Sequence, residues 1–95
     1  MAAGQGLLGK AGIPQQIVPV TPSNTDTDDL KAVGIRTTGA GLVVFEDGSG
    51  DARAVNMAAH DTIMVRVKRV LESAEVGGSE QTTAATGIHV YLFSN

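Results

Sequence analysis

One run limits the possible folds more than any other: Thr62-Ile63-Met64-Val65-Arg66-Val67-Lys68-Arg69-Val70-Leu71. It is the longest apolar-rich stretch and carries three of the seven cationic side chains. On an extended chain Ile63, Val65 and Val67 share one face, and Met64, Arg66 and Lys68 share the other. A helix is the rival reading. Ile63, Met64, Val67, Val70, Leu71 and Ala74 also follow helical spacing, with Arg66, Lys68, Arg69, Glu72 and Glu75 mostly outside. The β-branched Ile63, Val65, Val67 and Val70 favour the strand, because they suit a pleated surface and lose rotamer freedom on a helix. The strand period fails at Val70, and a bulge near Lys68–Arg69 would restore it.

The remaining apolar runs are short and bounded by glycine. Residues 15–20 carry Ile17, Val18 and Val20 around Pro19, which cannot donate to a ladder and so marks an edge strand or a stray extended segment. Val33 and Ile35 alternate with Gly34 and Arg36. Leu42-Val43-Val44-Phe45 is apolar on both faces, which fits either burial on both sides or one face against a partner. Val55 and Met57 alternate with Ala54 and Asn56. In residues 88–93, Ile88, Val90 and Leu92 oppose His89, Tyr91 and Phe93. Gly39-Ala40-Gly41 reads as a tight turn and Asp47-Gly48-Ser49-Gly50-Asp51 as another. Residues 72–81, with Gly77-Gly78, read as a flexible loop. This pattern predicts an all-β fold, either an antiparallel meander or a small antiparallel β-sandwich of about six to seven short strands. We take the sandwich. Residues 1–14 form a Gly-rich N-terminal arm, and residues 15–95 form a single β-sandwich domain.

The core has little aromatic material, since Phe45, Tyr91 and Phe93 are the only aromatic side chains. With no cysteine, no disulfide reinforces it. Self-association is therefore the expected extra source of stability. A net charge of −3 without a basic run argues against a phosphate-backbone interface, so no nucleic-acid partner is expected. No run is long and apolar enough for a membrane span, so no membrane partner is expected either. Residues 1–14 lack the pattern of a signal peptide. Cytoplasmic synthesis is the simplest expectation.

Two readings of the arm stand side by side. It is either an unstructured tail, or an anchor that orders against a neighbour or a capsid through Leu7, Leu8 and Ile13. Fourteen extended residues reach up to ~50 Å, several times the ~12 Å radius of gyration of a domain this small.

No catalytic constellation emerges. His60 and His89 have no second ligand at metal spacing, so no metal or cofactor is expected. His60-Asp61 has no nucleophile in a recognisable turn. The aspartate-rich residues 21–29 lack EF-hand spacing and read as a solvated loop whose side chains satisfy nearby backbone amides. The chain is read as non-enzymatic. Arg53, Arg66, Lys68 and Arg69 are expected to pair with acidic loops of the same or a neighbouring subunit.

The order of segments carries one further signal. Val20-Thr21-Pro22-Ser23 is followed by acidic residues ending in Asp29-Leu30, then Ile35-Arg36, then Gly39-Ala40-Gly41 leading into Leu42-Val43-Val44. Later come Val65-Arg66-Val67-Lys68-Arg69-Val70 and Thr82-Thr83-Ala84-Ala85-Thr86-Gly87-Ile88. In this order the segments resemble the spike base proteins of tailed bacteriophages and of phage-like gene transfer agents. The resemblance spans about residues 20–92. Ala84-Ala85 makes the lead-in to the last strand one residue longer than in the family, and residues 73–81 are expanded and charged.

The resemblance implies a virion structural protein on the capsid surface, assembled in the cytoplasm of a bacterial host. This head spike base or capsid decoration protein would be a symmetric homo-oligomer. It would bind the major capsid protein and carry a spike or fibre protein. Met64, Arg66, Lys68, Tyr91 and Phe93 are the expected subunit interface, and residues 21–29 and 72–86 the expected grip on the fibre. A tail or baseplate accessory protein is the nearest alternative. A small carbohydrate-binding β-module is another, which would use Tyr91, Phe93 and Phe45 as its platform.

Overall fold

The computed structural model describes residues 16–93. Leu7, Leu8 and Ile13 lie outside them. The described residues form nine β-strands: β1 (Gln16–Pro19), β2 (Ala32–Gly39), β3 (Gly41–Asp47), β4 (Ala52–Met57), β5 (Asp61–Ile63), β6 (Val67–Leu71), β7 (Ser73–Val76), β8 (Ser79–Thr82) and β9 (Thr86–Leu92). All pairings are antiparallel. The main sheet runs β1-β9-β2-β6-β3-β4, with β5 also on β2, and β7-β8 form a second small sheet. The fold is all-β and sandwich-like.

Strand order departs from a meander at residues 39–41. β2 and β3 are consecutive in sequence, yet β6 lies between them. Gly39-Ala40-Gly41 is therefore a corner rather than a hairpin. Gly41 takes φ +149°, and a Cβ there would meet the backbone of Ala84 and Ala85 at 2.8 and 2.7 Å. The amides of Ala84 and Ala85 both donate to Leu42 O, at 2.8 and 3.1 Å. The corner is thus pinned by the lead-in to β9.

Residues 62–71 are extended, so the helical alternative falls. They are not one unbroken strand, however. The chain leaves β5 after Ile63, runs irregularly through residues 64–66, and re-enters the sheet as β6. Ile63 opposes Ile35 and Val67 opposes Ala32 on β2, after which β6 pairs with β3. The interruption is where the chain changes partner. The bulge expected near Lys68–Arg69 is present. Glu46 faces Arg69 and Asp47 faces Val67, leaving Lys68 as the extra residue. Val67 and Val70 are consequently both buried despite their odd spacing. Ile63 and Val65 pack against the same core, half-buried.

That core joins Ala32, Ile35, Val43, Phe45, Met57, Val67, Val70, Ala85, Ile88 and Val90. β3 is buried on both faces. Val43 and Phe45 enter this core, while Val44 and its cross-strand neighbour Leu71 are buried on the reverse side. The β7–β8 hairpin packs against β4 and β3. Residues 72–81 are not the flexible loop that their composition predicts. They pair instead because Gly77 and Gly78 both hold positive φ, +63° and +86°, the geometry of a two-residue hairpin turn. Thr83 fastens the seam above the hairpin: its hydroxyl accepts from Val44 N at 2.9 Å and donates to Leu71 O at 2.7 Å.

Candidate functional site

Among the described residues, no three His, Asp or Glu side chains gather into a group able to hold a metal. His60 is exposed, at φ +58°, in the turn between β4 and β5. His89 lies on the outer face of β9 with Nδ1 3.1 Å from Gly87 O. A cleft of about 30 Å³, lined in part by Val20, Ser23, Asp26, Leu30, Arg69 and Val70, has room for about one water molecule.

The cleft lies at a seam that brings together the segments carrying the family resemblance. Val20 N donates to Ile88 O at 2.9 Å, and Ser23 N donates to Val70 O at 3.0 Å. Leu30 N donates to Lys68 O at 2.7 Å. Asn24 Oδ1 accepts from the amides of Glu72 and Ser73 at 2.9 and 3.3 Å. Residues 20–30 are therefore laced to both β6 and the start of β7. Within the loop, Ser23 Oγ accepts from the amides of Thr25 and Asp26, Asp26 Oδ1 from Asp28 N, and Asp29 Oδ1 from Lys31 N. Short side chains satisfy local amides here, as the sequence led us to expect. Arg69 closes the seam, donating to Glu46 Oε2 and to Asp26 O, each at 3.3 Å.

The five residues expected at a subunit interface fall into two groups. Met64 and Tyr91 meet over Gly34, where a Cβ would lie 3.0 Å from both Met64 Sδ and Tyr91 Cδ2. Phe93 follows Tyr91 on the same side by strand alternation. Arg66 and Lys68 sit elsewhere, over the β3–β4 turn. A Cβ on Gly48 would be 2.8 Å from Arg66 Cβ, and one on Gly50 would be 4.0 Å from Lys68 Nζ. The irregular chain at 64–66 separates the two groups, so the single face assumed for Met64, Arg66 and Lys68 does not exist.

Sequence reasoning missed Ile17. It opposes Tyr91, which opposes Gly34, so Ile17, Tyr91, Gly34 and Met64 form one row across β1, β9, β2 and the end of β5. Ile17, Met64 and Phe93 are the exposed large hydrophobics among the described residues, at 49%, 60% and 40% exposure. All three lie on this outer face. The available signal was parity: Ile17 is the only large apolar side chain in β1 on the side opposite Val18. Phe45, offered as part of an aromatic platform, is 2% exposed and belongs to the core. A sugar-binding platform is left with Tyr91 and Phe93.

The turn beneath Arg66 and Lys68 is organised by Asp47. Its Oδ1 accepts from the amides of Ser49 and Asp51 at 2.9 and 3.1 Å, and its Oδ2 from Arg53 Nε at 2.9 Å. The Arg53 guanidinium, followed by the Asp51 and Ser49 amides, holds the Asp47 carboxyl below its ordinary value of 3.8. A carboxyl depressed on folding adds stability above its unfolded pKa, and this is lost as pH falls through the folded one. The gap in melting temperature between wild type and Asp47→Asn should therefore be wide at neutral pH. It should narrow in acid below the ordinary carboxylate range. Thermal melts at the two pH values check this.

No family model, curated protein or solved structure matches the chain.

Proposed function

We propose that this chain is a non-enzymatic virion structural module, a head spike base or capsid decoration protein. It self-associates on the shell and anchors a spike or fibre. The observation that carries the reading is the outer face of β1-β9-β2, where Ile17, Met64 and Phe93 are exposed together beside Tyr91. Exposed apolar side chains gathered on one side of a small module, beside His89 and Arg36, support the docking of a partner there. The resemblance supplies the setting, and its motifs are joined by the hydrogen bonds between residues 20–30, β6 and β9.

The mechanism is multivalent docking. Each contact is small, and several copies held on one shell raise avidity through effective concentration. The arm, with Leu7, Leu8 and Ile13, binds the shell or a neighbour, and residues 21–29 and 72–86 hold the fibre. Purified protein should bind saturably to heads lacking spikes, and deletion of residues 1–14 should abolish binding while leaving the circular dichroism unchanged. Binding to isolated tails alone would move the protein to a tail or baseplate role. Binding to neither would overturn the reading, and undiminished binding of the deletion variant would overturn the role of the arm.

A further inference from the structure

Asp47 is the only aspartate of the chain that precedes a glycine. That order sets an electrophile beside an unhindered nucleophile. The nitrogen of a residue can attack Cγ of the aspartate before it, and a glycine nitrogen has no side chain beside it to obstruct the approach. The bond formed here is Gly48 N to Asp47 Cγ. One carboxyl oxygen leaves as water, taking the amide hydrogen and the acid proton, and a five-membered imide remains. Water then reopens the ring at either carbonyl. Opening at the Asp47 main-chain carbonyl leaves an isoaspartyl link: the main chain runs through Cβ and Cγ, and the α-carboxylate becomes the side group. No reagent other than water takes part.

The fold holds the two reactants differently. Among the described residues, none accepts a hydrogen bond from Gly48 N. The Asp47 carboxyl is engaged on both oxygens, Oδ1 by the amides of Ser49 and Asp51 and Oδ2 by Arg53 Nε. Its main chain is pinned as well. Asp47 N donates to Asp51 O, and Asp47 O accepts from Gly50 N, each at 2.9 Å. Ring closure requires Cγ to swing onto Gly48 N by rotation about Cα–Cβ and Cα–C. The first rotation draws the carboxyl off its three donors, and the second pulls on the two main-chain bonds. Arg53, with the Asp51 and Ser49 amides, also favours the ionised carboxyl, whose oxygens are poor leaving groups. The turn cannot exchange Gly48 for a bulkier residue, because a Cβ there would lie 2.8 Å from Arg66 Cβ.

We propose that Asp47–Gly48 is a spontaneous modification site that the β3–β4 turn holds closed, with Arg53 as its positioning residue. Closure to the imide takes place from the opened turn, so the rate follows the population of that state. Conversion lengthens the main chain by one carbon next to the Glu46–Ala52 pair. The Asp47–Asp51 closure and the Arg53 anchor are lost together, beneath Arg66 and Lys68. Each converted chain is therefore a lasting record that its turn has opened. This inference is independent of the proposed function.

The test follows the full chain at 37 °C and neutral pH over weeks, with isoaspartate located by peptide mapping and mass spectrometry. In urea, Asp47 should convert faster than any other aspartate. In the native chain its conversion should be at least about tenfold slower than in urea. Arg53→Ala with native circular dichroism should convert about two- to fivefold faster than wild type, as suits an exposed ion pair. Arg53→Lys, which keeps a charge and fewer donors, should fall between them and carries the comparison if Arg53→Ala does not fold. Native wild type converting as fast as the chain in urea would overturn the proposal. So would a folded Arg53→Ala no faster than wild type, or another aspartate outpacing Asp47 in urea.

Discussion

Phe45→Ala is expected to destabilise the domain by about 3–5 kcal/mol, read as a fall in the urea midpoint at unchanged slope. Phe45 is 2% exposed and projects from β3 into a core otherwise built from aliphatic side chains, Met57 and alanine. Its cross-strand neighbours are Val70 on one side and Arg53 on the other. None of the small residues around it can expand to fill the void, so the loss combines transfer and cavity terms. A domain of this size has only about 5–15 kcal/mol in total. Phe93→Ala is the matched control: at 40% exposure it should move stability by well under half as much. Equal effects from the two would place Phe45 outside the core.

Gly41→Ala should be nearly as damaging, at about 3 kcal/mol or more. Two terms add. A non-glycine residue held in a sparsely populated, positive-φ conformation costs about 1–3 kcal/mol, and forcing a methyl into packed surroundings adds typically ~1–3 kcal/mol. The obstruction is backbone, Ala84 C at 2.8 Å and Ala85 N at 2.7 Å, and it cannot rotate away. Gly78→Ala separates the terms. Gly78 also has positive φ, +86°, but nothing lies within 4 Å of where its Cβ would be. It should show only the conformational part. Should both variants melt together, the β2–β3 corner is not pinned by residues 84–85.

Much of the fold was legible because strand alternation survives in single runs. Ile35 against Arg36, and Ile88 and Val90 against His89, declare their faces locally, whereas Leu42-Val43-Val44-Phe45 is apolar on both sides and declares none. The bulge at Lys68 was legible too, because Val67 and Val70 cannot both be buried at odd spacing without an extra residue. What escaped detection depends on contacts distant in sequence. Nothing near residues 39–41 says that β6 inserts between β2 and β3, since that rests on residues 67–71 pairing with β3 and with Ala32 of β2. The β7–β8 hairpin was hidden because its strands are polar and half-exposed, leaving Gly77-Gly78 as the only cue. Residues 62–71 read as one strand because alternation says nothing about which partner a strand has. That same blindness put Arg66 and Lys68 with Met64, when the change of partner sends them over the Asp47–Asp51 turn. Ile17 was overlooked because its significance comes from the strand it lies beside, β9, which is about seventy residues away in sequence.

The central claim, that this small β-module works as part of a particle, is tested most directly by where the native protein resides. Lysates of the cells that encode it should be fractionated on a density gradient and each fraction probed for the intact chain. The account predicts that the protein migrates with DNA-filled heads, in a fixed ratio to the shell protein, and stays there through a second gradient. Recovery only at the top of the gradient, free of heads and tails, would contradict it.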